Sequence, residues 1–505
     1  MTLFPVLNRL LFSASAHYAR CLTLAAIEQG DTMTSLWQLS AVEQAVGVKN
    51  QSFTATELVQ SALGRIEQKN AELNAIVDLM DESALTAAQA ADIDVAKGKA
   101  LGPLHGVPVT VKVNVDTKGR ATTNGMEIFK NTIAPDYSPI VSNLLKAGAI
   151  VIGRTNTPEM SMRVTTDNPL HGLTRNPWDL QASPGGSSGG AASAGAAGFA
   201  AINHGNDIAG SLRYPATACG LSTIKPGLGR VPAYLPSAQS ERGMLAQLMS
   251  VQGVICREVR DVRLGTEVLM QFDPRDPWQV PMPFSREHDH QPKVGICRKA
   301  YDYAIHPGIL ANLDRAASIL EAAGYQVEEI ETPSMAKAAR QWLLNTNFEM
   351  KRLLEPVFKD HGSDTINQIF EGYYKLQGVA DADGYLLGIA ARTALVREWN
   401  LLLHEYPLLL TPYLMRPGYP YDYDETFEGV KDLFDSSIYS YGVNYIGMPA
   451  GFVPVDLVDE LPSGIQLIGQ KWREDLVLDA MQVIEEDVGV MTQKLWARET
   501  GDQKA

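Results

Sequence analysis

The stretch from Ser183 to Pro215, SPGGSSGGAASAGAAGFAAINHGNDIAGSLRYP, restricts the fold more than any other part of the chain. It holds a Gly-Gly-Ser-Ser-Gly-Gly loop (185–190), an Ala/Gly run, and a second turn, Asp207-Ile208-Ala209-Gly210-Ser211, whose serine lies 24 residues after Ser187. Such small residues fill core volume poorly. What they permit is close approach of backbone to backbone or ligand, at a cost in chain entropy that the rest of the fold must offset. Two serines in glycine-rich turns make this stretch a candidate reaction site.

The flanking sequence alternates helices and strands. Thr54-Ala55-Thr56-Glu57 is a capping box followed by Leu58, Ala62 and Ile66 on one stripe, which predicts a helix to about Asn70. From Val107 to Val115 five valines alternate with Pro108, Thr110, Lys112 and Asn114, the period of a strand with one apolar face and one polar face. A helix near 138–147 and a strand at 149–153 follow, and the alternation returns with a strand at 294–297, a helix over 307–323, and strands at 325–330 and 408–411. Residues 334–405 read as helical, and NYIGMPA (444–450) and PSGIQLIG (462–469) as two further strands. Alternation of this kind predicts α/β layering.

Composition narrows the class. Hydrophobic residues are 45% and charged residues 20% of the 505, and no run is long and apolar enough for a membrane span. The net charge of −15, without clustered Lys or Arg, argues against a nucleic-acid surface. Cys21, Cys219, Cys256 and Cys297 are scattered and form no metal-ligand spacing, so no metal is expected, and reduced thiols point to a cytoplasmic location. The first residues only loosely imitate a signal peptide, since Asn8 and Arg9 interrupt the apolar run, and Met33 is a natural start. Residues 1–33 are therefore expected to be an N-terminal extension, peripheral to the fold or an upstream mis-start.

Two readings of the serines compete. Gly185-Gly186-Ser187-Ser188-Gly189 fits the G-x-S-x-G elbow of α/β-hydrolases, but Asn176-Pro177-Trp178-Asp179 and Ser183-Pro184 precede it where the elbow requires an apolar strand. Ser211 follows a strand candidate, Phe199–Ile202, and a tight turn whose N–H groups can converge on one oxygen. Ser211 then needs a base. A lysine serves only if burial brings its pKa down from about 10.4 toward neutrality, and Lys112 is the candidate.

Together, Gly106 to Lys112 (GVPVTVK), the 185–190 serine loop and Asp207 to Pro215 (DIAGSLRYP) resemble the amidase signature family. The resemblance extends through GAIVIGRTNTP (148–158), TDNPLHGLTRNPW (166–178) and the NYIGMPA and SGIQLIG segments. It implies a single large α/β/α domain around a central mixed sheet, spanning 34–500, with a signature core at about 104–260 and a variable helical pocket region at about 334–405. It also implies a catalytic set of Lys112 as base, Ser187 as bridging serine after a cis peptide bond, and Ser211 as acyl-forming nucleophile. Ile208, Ala209, Gly210 and Ser211 would supply the oxyanion hole, with Ser188, Asp207 and Arg213 supporting them. The expected function is hydrolysis of a carboxylic amide through an acyl-serine, releasing ammonia or an amine, with no cofactor. The expected partner is a small-molecule amide, the chain acting alone or as a homodimer.

The alternative is the glutamine-hydrolysing subunit of a tRNA-dependent amidotransferase. A G-x-S-x-G esterase and a non-catalytic binding protein rank below it. The chain departs from the family pattern at Ala209, where glycine is common, and at His204, where a small or apolar residue is usual. His204 is expected to be a hydrogen-bonded core residue. The tyrosines of 415–423, with Trp342 and Phe348, are expected to give the pocket an aromatic lining.

Overall fold

The computed structural model describes residues 35–286 and 292–500, so Cys21 and the expected extension over 1–33 lie outside the described residues. From Leu36 onward the chain forms one compact unit. Eleven strands make one sheet: β1 (Ile76–Leu79), β2 (Pro108–Lys112), β3 (Ile150–Thr155), β4 (Ile202–Asp207), β5 (Ser222–Lys225), β6 (Val251–Cys256), β7 (Lys293–Ile296), β8 (Gln326–Glu329), β9 (Leu408–Pro412), β10 (Ala450–Val458) and β11 (Leu461–Gly469). Their order is β1-β3-β2-β4-β6-β5-β10-β11-β9-β7-β8. The sheet is mixed: β2 runs parallel to both β3 and β4, whereas β6, β5, β10, β11 and β9 form an antiparallel run. This is the expected α/β fold around a mixed sheet. Among the described residues no helix is long and apolar enough to cross a membrane.

β2 has the two faces its alternation predicts, and every residue of the strand is buried, the polar face included. Parallel strands covered on both faces must bury both. Val107, Val109, Val111 and Val115 enter a core with Ile140, Leu144 and Val254. The opposite face carries Thr110 and Lys112, both inaccessible to solvent. A polar face buried this completely must find its partners inside the protein.

The expected helix after the Thr54 capping box runs from Ala55 to Leu73, with both reciprocal cap bonds formed. The NYIGMPA strand is a correction: Ile438–Ile446 is a helix ended by Gly447 at φ 74°, and the strand begins only at Ala450. Aromatic and β-branched residues there suggested a strand, but all nine positions are buried in a helix, which removes the polar alternation that separates the two. The strand expected at Phe199–Ile202 likewise starts at Ile202 and carries on to Asp207, directly into the Ser211 turn. The helical region comprises Met335–Glu349, a π-helical turn Met350–Leu354, Glu355–His361, Asp364–Gln377 and Ala382–Glu405.

Candidate active site

The ends of β2 and β4 and the loop before helix Gly189–Ala197 meet at one point. Lys112 is the last residue of β2 and is fully buried. Its Nζ lies 2.8 Å from Ser187 Oγ, 3.1 Å from Ser188 Oγ and 2.9 Å from Asn206 Oδ1. Desolvation holds the amine well below its ordinary value of 10.5, with the nearby Asp207 carboxylate opposing more weakly. A neutral amine has two N–H groups and one lone pair. Asn206 Oδ1 can only accept, so with one N–H on it and one on Ser188, the lone pair is left for the Ser187 hydroxyl.

Ser187 is held from the backbone side. Thr157 Oγ1 donates to its carbonyl at 2.9 Å, and the Gly186–Ser187 peptide bond is cis. Gly186 sits against the backbone of Arg163 and Val164, where a Cβ would overlap the Arg163 carbonyl. The glycine-rich loop is thus a packing requirement as well as a turn.

Ser211 stands on the edge of a cavity that Gly186 also lines. The turn below it is braced by Asp207, which accepts from Gly210 N (2.8 Å), Leu212 N (3.2 Å), Arg213 Nε and Nη2 (3.1 Å each) and Asn444 Nδ2 (2.9 Å). Both side chains of the Asp207–Arg213 pair are completely buried, and the guanidinium holds the carboxyl below its ordinary value despite the opposing burial. The Gly210 N–H is therefore committed to Asp207. Among the described residues the N–H groups of Ile208, Ala209 and Ser211 have no acceptor, nor does the Ser211 hydroxyl have a hydrogen-bond partner. The chain of contacts is closed from Lys112 to Ser187 and open at Ser211.

His204 stands behind Lys112. Its Nδ1 is 3.4 Å from the Lys112 backbone nitrogen and its Nε2 is 2.9 Å from Gln252 Oε1. Burial lowers its pKa to about 3, so it stays neutral. It is the hydrogen-bonded core histidine expected from the sequence.

The cavity wall is aromatic and apolar. Trp342, Leu343 and Met350 come from the helical region, Tyr413 and Tyr419 from the 413–423 segment, and Tyr441 from the helix misread as a strand. Phe348 and Tyr423, expected here, lie elsewhere: Phe348 stacks on Tyr385 and Tyr423 on Tyr419. Tyr421 hydrogen-bonds Arg175 and the Leu180 carbonyl. Arg163 is the one charged side chain among the lining residues. It is 4% exposed and its Nη2 pairs with Asp424 (2.8 Å), Asp422 (2.9 Å) and Glu425 (3.4 Å). Sequence reading missed Asn206, Arg163 and Ser440; only Asn206, adjacent to the Asp207 turn, had a positional signal.

The chain matches the family described as Amidase over residues 57–478. An indoleacetamide hydrolase of Bradyrhizobium diazoefficiens is 45% identical over 465 residues, 91% of this chain and 88% of that protein. One glutamyl-tRNA(Gln) amidotransferase subunit, from Carboxydothermus hydrogenoformans, is 30% identical, covering 90% of this chain and 98% of its own. Among solved structures, a bacterial aryl acylamidase of the amidase signature family aligns with a TM-score of 0.78 at 26% identity, over 92% of this chain and 99% of its own. A 6-aminohexanoate cyclic dimer hydrolase bound to substrate gives 0.78 at 25%, over 90% and 98%. With a family match across most of its length and relatives of this similarity, the chain belongs to the amidase family and is an amide hydrolase.

Proposed function

We propose that the chain hydrolyses a neutral arylacetamide of the indoleacetamide kind to the carboxylic acid and ammonia, using Ser211 as nucleophile. Neutral Lys112 takes the Ser187 proton as Ser187 takes that of Ser211, and Ser211 Oγ attacks the amide carbon. The carbonyl oxygen, now negative, is received by the unpaired N–H groups of Ile208, Ala209 and Ser211, each such donor being worth roughly 2.7–4 kcal/mol. The Gly210 N–H is left out because Asp207 already occupies it. The proton returns through Ser187 to the amide nitrogen, ammonia leaves, and water attacks acyl-Ser211 by the same relay. Substrate binding closes the open contact at Ser211, as free sites tighten on forming the reactive complex. Three described cysteines, buried and free of disulfides, support the cytoplasmic location that goes with this reading.

The observation that carries the substrate class is the charge state of the wall. Glutamine brings a carboxylate and an ammonium that both need partners, and the one cation lining the cavity is neutralised by three acids. A flat uncharged ring suits the aromatic lining instead. Ammonia release from purified protein with indoleacetamide, phenylacetamide, an aliphatic amide and glutamine tests this. The arylacetamides are expected to lead, and turnover of glutamine above them would overturn the reading.

A further inference from the structure

The three carbonyls of the 208–210 turn each accept a hydrogen bond from a side chain. Trp342 Nε1 donates to Ile208 O at 2.9 Å, Ser440 Oγ to Ala209 O at 2.7 Å, and Tyr413 OH to Gly210 O at 3.3 Å. Tyr413 OH and Ser440 Oγ are 3.1 Å apart, so the anchors form one cluster. A trans peptide carries its N–H and C=O on opposite edges. Fixing the Ile208 carbonyl therefore aims the Ala209 N–H, and fixing the Gly210 carbonyl aims the Ser211 N–H.

Trp342 does a second thing. Its ring borders the substrate cavity and packs on Tyr441 at 4.8 Å between centroids. It belongs to helix Met335–Glu349, far in sequence from the reacting residues, and is 6% exposed.

We propose that Trp342 and Tyr413 are positioning residues for the oxyanion hole, and that Trp342 links recognition of the acyl group to transition-state stabilisation by serving as cavity wall and carbonyl anchor at once. This rests on the reading of the 208–211 turn given above. Trp342→Phe keeps an aromatic wall and removes the donor; Tyr413→Phe removes the second anchor, keeps its ring and leaves Trp342 in place. Loss of one neutral hydrogen bond predicts a fall in kcat of about three- to tenfold, with KM moving less than about twofold, because the anchor acts on the charge that develops in the transition state.

The test measures kcat and KM for the preferred amide and the rate at which a fluorophosphonate labels Ser211 in the full-length wild type and both variants, with thermal melting as the check on folding. In labelling, the Ser211 Oγ–P bond forms, fluoride leaves, and the phosphoryl oxygen occupies the hole, so no amide is needed. Both variants are expected to slow labelling by the same factor as kcat, and if Trp342→Phe does not fold, Tyr413→Phe decides the anchoring. A rise in KM with labelling unchanged makes Trp342 a wall only and overturns the proposal, as does unchanged kcat and labelling in both variants. A wild type that turns over no arylacetamide but is labelled at Ser211 overturns the substrate reading alone; labelling at Ser187 overturns both.

Discussion

Replacing Lys112 by methionine exchanges a desolvated amine for an apolar chain of similar length, and activity and stability are expected to move in opposite directions. Loss of the base should lower kcat/KM by about 10²–10⁴-fold, equivalent to roughly 2.7–5.5 kcal/mol of barrier. The rising limb of the pH profile, which reports deprotonation of Lys112 in the free enzyme, should vanish with it. The stability effect follows from the same burial. Between the depressed folded value and the ordinary 10.5, the unfolded chain binds a proton at Lys112 that the folded chain does not. Wild-type stability therefore rises with pH through that window, by about 1.4 kcal/mol per pH unit, and the variant lacks this slope. Urea denaturation at two pH values inside the window should show Lys112→Met ahead at the lower pH and its advantage shrinking at the higher. Lys112→Arg should rescue little activity, since a guanidinium stays charged. Turnover within a few-fold of wild type in Lys112→Met, with the same pH profile, would refute the assignment of the base.

Ser211→Ala should abolish labelling by a serine-directed phosphonate, whereas Ser187→Ala should leave a weakly reactive protein; the reverse pattern would favour the G-x-S-x-G reading. Gly210→Ala should lose most activity while folding, because Gly210 sits at φ 123° and an added Cβ would overlap Ser440 Oγ and Tyr413 OH; kcat is the readout. Arg213→Met should cost about 3–5 kcal/mol in urea denaturation, since it strands the buried Asp207 carboxylate. His204→Asn should leave the position of the pH limb unchanged, because an imidazole with a pKa of about 3 does not titrate there; a shifted or lost limb would bring His204 into the proton path.

Legibility in the sequence followed how local the signal was. The valine alternation of β2, the Thr54 capping box and the two glycine-rich serine turns are set by neighbours within a few residues, and they read correctly. The burial of Lys112 was legible only as a requirement of its chemistry, and its partners were not, because they depend on β3 and β4 covering both edges of β2 and on Ser187, Ser188 and Asn206 being brought from 75 to 94 residues away. The helix Ile438–Ile446 was misread since burial all round erases periodicity. Arg163 carries no sequence mark of its pairing; its three acids lie more than 250 residues downstream.

The partition of the cavity has an evolutionary consequence. The groups proposed to make and break bonds lie between positions 112 and 211, while much of the cavity wall comes from 342–350 and 413–441. Drift in the second set can retune which amide is accepted while the first is conserved, so gene lineages sharing one reaction can diverge in diet. Position 342 is the exception: as both wall and anchor, it is where a change of substrate carries a penalty in turnover, and where a directed-evolution library should expect its compensating mutations to gather.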